Sequence, residues 1–142
     1  MKIIKYLFCF CFILLALSNY AQSPVLKLIV PNVESAQGDL QVSIFNNDKT
    51  FLKEKEEYRI YRFKVEKDSD VFTIDDLPQG EYAMIIFHDK NSNKDLDRSF
   101  LGIPKEGYGF SNNIKPHLSA PDFRDCCFSL VKDTKIEIEL LY

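Results

Sequence analysis

Leu77-Pro78-Gln79-Gly80-Glu81-Tyr82-Ala83-Met84-Ile85-Ile86-Phe87 is the stretch whose reading decides the fold. Proline presets φ for a tight turn, and glycine supplies the positive φ that such a turn can require two residues later, so the chain is delivered directly into a strand. That strand, Tyr82 to Phe87, is almost wholly apolar, as in a strand buried on both faces or central in a sandwich. Polar His88 and Asp89 follow it at once.

Working outward, strand signals dominate from Val25 onward. Residues 25–30 are apolar and β-branched apart from Lys27, and after the turn at Gly38 the apolar Leu40, Val42 and Ile44 alternate with Asp39, Gln41 and Ser43. The segment 48–57 reads as a single helical turn or a charged loop. Tyr61, Phe63 and Val65 then share one face with Arg62 and Lys64 on the other, and Phe72 and Ile74 mark a short fourth strand. Beyond a long irregular stretch, Phe123 to Val131 and Lys135 to Tyr142 read as the last two strands. In the final one Ile136, Ile138, Leu140 and Tyr142 oppose Lys135, Glu137 and Glu139, so a one-residue slip would bury glutamates. About seven short strands without a long helix predict an all-β fold, a single antiparallel β-sandwich.

The N-terminus has a different character. Lys2 and Lys5 precede an apolar run from Tyr6 to Leu17, which gives way to Ser18, Asn19, Tyr20 and Ala21. That order of charge, apolar core and small residues is a secretion signal, residues 1–21, with cleavage after Ala21. The core is too short to span a bilayer, which takes roughly 20 residues of helix. The expected mature chain, 22–142, is one β-sandwich domain with no membrane span after cleavage, exported to the periplasm or secreted.

Removing Lys2 and Lys5 leaves 16 basic and 21 acidic residues, a net charge of −5. Nothing in such a balance attracts nucleic acid or anionic lipid. Of four cysteines only the neighbours Cys126 and Cys127 survive cleavage. On a strand they would point to opposite faces, Cys126 with Phe128 and Leu130 towards the core and Cys127 with Ser129 away from it. A strained bridge between the two, or pairing with another chain, is the competing reading.

The strongest chemical constellation is Asp89-Lys90-Asn91-Ser92-Asn93-Lys94-Asp95-Leu96-Asp97. Calcium takes six to eight oxygens, and Asp89, Asn91, Asn93 and Asp97 stand at positions 1, 3, 5 and 9 of a loop able to wrap one ion. Leu96 at position 8 fits the apolar residue beneath such sites. Asp95, at position 7, would ligate through its backbone carbonyl, and Glu106 or another carbonyl would complete the shell. Two departures weigh against an EF-hand: Lys94 replaces the glycine of the sharp turn, and Phe100 replaces the bidentate glutamate. The competing reading is an ion-free turn built from Asx residues.

Gly102 to Asn113 is the second feature. Glycines flanking Tyr108 suggest a sharply bending backbone, in a binding loop or a self-packed one. His88 and His117 are the only histidines, and neither stands in a zinc or nucleophile motif. No catalytic or cofactor-binding residue is assigned on this reading.

Together, His88-Asp89-x-Asn91-x-Asn93-x-Asp95-Leu96-Asp97 and Gly102-Ile103-Pro104-x-Glu106-Gly107-Tyr108-Gly109-Phe110-Ser111-Asn112-Asn113 resemble the exported bacterial domain-of-unknown-function family 2141. The resemblance extends through Leu77-Pro78-x-Gly80-x-Tyr82-Ala83 to the last strand, and implies a secreted or periplasmic domain. More distantly, the Leu-Pro-x-Gly-x-Tyr turn is similar to that of transthyretin-like and carboxypeptidase regulatory-like sandwiches, so the sandwich is expected to be transthyretin-like or immunoglobulin-like. Two functional classes follow. One is a non-catalytic envelope module, stiffened by structural Ca²⁺ and facing an unknown envelope or extracellular ligand; the other is a cell-envelope hydrolase or redox enzyme using residues 88–127.

Overall fold

The computed structural model describes residues 23–66, 70–117 and 119–142. The signal segment 1–21 lies outside the described residues. Among them, eight strands form two sheets, with very little helix. The strands are β1 (Leu26–Ile29), β2 (Asp39–Phe45), β3 (Arg59–Lys64), β4 (Val71–Ile74), β5 (Gly80–Asp89), β6 (Tyr108–Phe110), β7 (Phe128–Leu130) and β8 (Thr134–Glu137). One sheet has the order β4-β1-β8; the other runs β3-β2-β5-β6, with β7 added along the first residues of β5.

The core follows from strand alternation. Leu26 and Leu28 of β1 and Phe72 and Ile74 of β4 meet Leu40, Val42 and Ile44 of β2 and Tyr82, Met84 and Ile86 of β5 in one buried cluster. Side chains of this size stabilise by about 1.5–3 kcal/mol each when fully buried. The alternate residues of β5 serve a second, smaller cluster in which Ala83 and Ile85 pack with Phe110, Cys126, Phe51 and Phe123. Strand β5 is thus apolar on both faces because both are covered.

Several local details differ from the sequence expectation. The pair β1·β8 is parallel, while the other ladders are antiparallel. Gly80 has no positive φ; its missing Cβ instead leaves room for the Tyr82 ring, whose hydroxyl folds back to donate to Pro78 O at 2.9 Å. Segment 48–57 is a turn-rich loop with Leu52 and Lys55 left-handed, closed by Phe51 edge-on to Phe45 and Phe123. Phe123–Cys126 is a helical turn, α1, so β7 begins only at Phe128. Cys126 is buried as expected, but among Ala83 and Phe110, whereas Leu130 lies in the main core.

Candidate functional site

Strand β5 carries the chain to Asp89, the first residue of the loop. Register places Asp89 opposite Asp39 of β2, beside Gly38. Gly38 has φ +74°, and any Cβ there would fall 2.0 Å from Asp89 O, so this close crossing requires glycine. The Asp89 side chain is fully buried. Its Oδ1 accepts from Asn93 N at 3.0 Å and its Oδ2 from Lys94 N at 2.7 Å, with Arg62 Nη1 at 3.9 Å. Both N–H groups can reach one carboxylate because Ser92 and Lys94 adopt left-handed φ of 56° and 74°. Lys94 therefore takes up the conformation for which calcium loops use glycine, at a strain of about 1–2 kcal/mol.

Above Asp89, three side chains converge. Asn91 Nδ2 donates to Asp97 Oδ2 at 2.8 Å, and Asn93 Nδ2 donates to Asp97 Oδ1 at 3.1 Å. The carboxamide oxygens cap the turn itself, Asn91 Oδ1 receiving Asn93 N and Asn93 Oδ1 receiving Asp95 N. Glu106, almost wholly buried, clips the loop at its two ends through Lys90 N at 2.9 Å and Asp97 N at 3.1 Å. The structure thus brings Asp89, Asn91, Asn93, Asp97 and Glu106 into one network. It leaves the Asp95 side chain exposed, contributing its N–H alone.

Both Asp97 carboxylate oxygens thus face amide N–H groups, while the carboxamide oxygens face the backbone of the turn. Each carboxamide oxygen and the Asp89 carboxylate has a further lone pair to offer. Carboxylate density is low: among the described residues no three His, Cys, Asp or Glu side chains form a metal-holding group.

Two contributors were not singled out by the sequence reading. Ser92 Oγ donates to Asp39 Oδ2 at 2.7 Å, a bond that leads the causes holding the Asp39 carboxyl below its usual range. Lys90 Nζ reaches Glu34 at 2.7 Å and lies 5.2 Å from the centre of the Tyr142 ring. The signal for the first was the antiparallel pairing of Asp39 with Asp89, which needs a register and not a motif.

The second motif, 107–113, serves a different purpose. Gly107 and Gly109 have no positive φ; they admit neighbours. A Cβ on Gly107 would stand 2.5 Å from the Tyr142 ring, and one on Gly109 would stand 2.7 Å from Ile138 Cγ2. Ser111, fully buried, accepts from Met84 N at 2.9 Å and donates to Cys126 O. Asn112 donates to Asp125 O and Cys127 O, while Asn113 donates to Glu137 O and accepts from Glu139 N. The segment is a splice joining β5, α1 and the C-terminal strand. A shallow dent beside it, against Gly109, Ile114 and Leu141, offers about 10 Å³, the room of one water and far below the roughly 300–1,000 Å³ typical of small-molecule sites.

A family model for uncharacterised proteins conserved in bacteria, DUF2141, matches residues 29–139. The chain belongs to this family. No curated protein and no solved structure matches it. The match to DUF2141 spans the loop, the splice and every strand from the end of β1 to β8, so both motifs lie within the family domain.

The remaining candidates for chemistry stand apart. His88 is fully buried at the end of β5, its Nε2 2.7 Å from Gln37 O and its Nδ1 without a partner among the described residues. A carbonyl can only accept, so Nε2 carries the proton. His117 is exposed. Cys126 and Cys127 are free thiols; burial pushes Cys126 up to about 12, and burial followed by the Glu81 carboxylate, 3.5 Å from Cys127 Sγ, raises Cys127.

Proposed function

We propose that this DUF2141 protein is a non-catalytic exported envelope module whose 89–97 loop takes Ca²⁺ as a structural ion. Convergence of Asn91 and Asn93 on Asp97, above an Asp89 carboxylate that holds a left-handed Lys94, is the observation that carries it. Asp89, Asn91, Asn93 and Asp97 would supply side-chain oxygens, Asp95 a carbonyl, and Glu106 would brace the loop ends. The raised thiols support a non-nucleophilic role, because a thiol held protonated at neutral pH is a poor nucleophile. Export rests on residues 1–21.

Extracellular calcium modules bind at about 10⁻⁴–10⁻³ M, so millimolar calcium stabilises such a fold by about 0.4–1.4 kcal/mol. That orders a loop without making folding depend on the ion. The test is the thermal midpoint of wild type and Asp97→Ala with calcium, magnesium or chelator. Calcium is expected to raise the wild-type midpoint by a few degrees, magnesium to do little, and Asp97→Ala to abolish the response. An equal rise in both proteins would put the ion elsewhere, and no rise in either would leave an ion-free turn.

A further inference from the structure

Immediately after the loop, residues 98–104 form a closed turn. Arg98 and Pro104 make an isolated bridge, Ser99 N donates to Ile103 O at 2.8 Å, Gly102 N donates to Ser99 O at 2.9 Å, and Ile103 N donates to Ser99 Oγ at 3.2 Å. Gly102 takes φ +79° at the bend, and Lys105 N anchors the outgoing strand to Asp97 O at 2.8 Å. These bonds hold the turn without using the side chains of Phe100, Leu101 or Ile103, which are 96 %, 70 % and 61 % exposed.

Other exposed apolar residues, such as Tyr58, Ile60, Val71 and Val131, are scattered over separate elements. Single exposed hydrophobes are ordinary; three on one short turn mark an interaction surface. Its charges are one-sided. Between 98 and 105 the ionised residues are Arg98 and Lys105, both exposed. On the loop side Asp97 is turned towards Asn91 and Asn93, and exposed Asp95 is next to exposed Lys94. The chain as a whole is acidic, but exposed charges act over a screening length of about 8 Å at physiological salt, so the collar governs what the tip meets.

We propose that this turn is a membrane-docking knuckle, in which Phe100, Leu101 and Ile103 enter the apolar boundary of an anionic bilayer while Arg98 and Lys105 sit at its phosphates. The turn joins its backbone groups to one another, so it suits a partner that makes no directional demand, and its cationic neck complements anionic headgroups. A protein partner with a matching pocket is the alternative occupant, and the test separates the two.

The exported protein, purified from periplasm or medium, is sedimented with phosphatidylcholine vesicles containing or lacking phosphatidylglycerol. Chelator is present throughout, so failure of the calcium reading leaves the result untouched. Binding to the anionic vesicles is expected, with at least a tenfold loss in Phe100→Ser/Leu101→Ser. Arg98→Gln and Lys105→Gln are expected to weaken it about fivefold each, the equivalent of about 1 kcal/mol per cation near a charged surface. All four side chains are exposed and only Arg98 bonds the turn, by one long contact of 3.4 Å from Nη1 to Gly102 O, so the variants keep the wild-type thermal midpoint to within about 1 °C. Equal binding by wild type and the double-serine variant, or no binding by wild type, overturns the proposal. So does a photoreactive group at position 100 that cross-links to one envelope protein while vesicle binding is absent.

Discussion

The 89–97 loop and the 107–113 splice share Asn and Ser and use them to opposite ends. In the loop, side chains bond their own local backbone, and the bonds that close it, Asn91 and Asn93 to Asp97, lie at the surface. In the splice, Ser111, Asn112 and Asn113 bond backbone groups 13 to 27 residues away in other elements. The difference teaches that an Asx-rich motif signals a ligand site only where its polar atoms have capacity left over. The splice has its amides engaged by three elements, whereas Asn91 and Asn93 are engaged only within the loop, Nδ2 on Asp97 and Oδ1 on backbone N–H groups.

The largest effect should come from breaking the splice. Ser111→Ala leaves the buried Met84 N–H and Cys126 carbonyl each without this partner, and unpaired buried polar groups cost about 1–3 kcal/mol apiece. We expect a loss of about 2–4 kcal/mol in urea unfolding, with no change in the calcium response. If the variant is as stable as wild type, the splice is not holding these elements together.

A smaller effect lies under the splice, at Cys126. Burial, with the Asp125 carboxylate beside it, pushes its thiol up to about 12 from 9.0. The folded chain keeps that proton where the unfolded chain has released it, so the stabilisation is complete below about pH 9 and is lost as pH rises towards 12. Cys126→Ala should cost about 1–2 kcal/mol at neutral pH as a modest core truncation. Its stability should then fall less steeply than that of wild type above about pH 9. Burial also raises Tyr61, Tyr82 and Tyr142, but they are common to both proteins and cancel in the difference. Parallel pH profiles would show that the thiol is not held in the apolar cluster.

How much of this was legible in the sequence depends on the range of the interaction. Alternation placed the inward faces of β2, β3 and β8, because period-two patterning is written locally. The members of the loop that converge were legible for the same reason, as Asp89, Asn91, Asn93 and Asp97 bond within nine residues of one another. Strand β6 was not, since three residues carry no period and its glycines answer to Tyr142 and Ile138, remote in sequence. The parallel β1·β8 pairing was hidden too: an alternating pattern fixes which side chains face inward and leaves strand direction open. Cys126 was placed on the wrong core because its facing depended on whether the strand began before or after it. Glu106 could be marked as a loop partner, but its bonds to the N–H groups of Lys90 and Asp97 require the chain's return path.

The smallest effect gives the sharpest comparison, because it uses one backbone conformation in both regions. Lys94 has φ 74° and Asn113 has φ 53°, each left-handed and each relieved by glycine. Lys94 contributes its backbone N–H to Asp89 and holds its side chain in solvent, so Lys94→Gly keeps the bond and removes the strain. Glycine's larger unfolded-state entropy offsets part of that gain, leaving a net stabilisation of about 0.5–1 kcal/mol. Asn113→Gly relieves similar strain but deletes the bonds to Glu137 O and Glu139 N at 3.0 and 2.8 Å. Two exposed side-chain bonds outweigh it, so the net change is a loss of about 1 kcal/mol. Urea unfolding of the two variants side by side should therefore give shifts of opposite sign. Shifts of the same sign would mean that strain, and not the destination of the side chain, separates the loop from the splice.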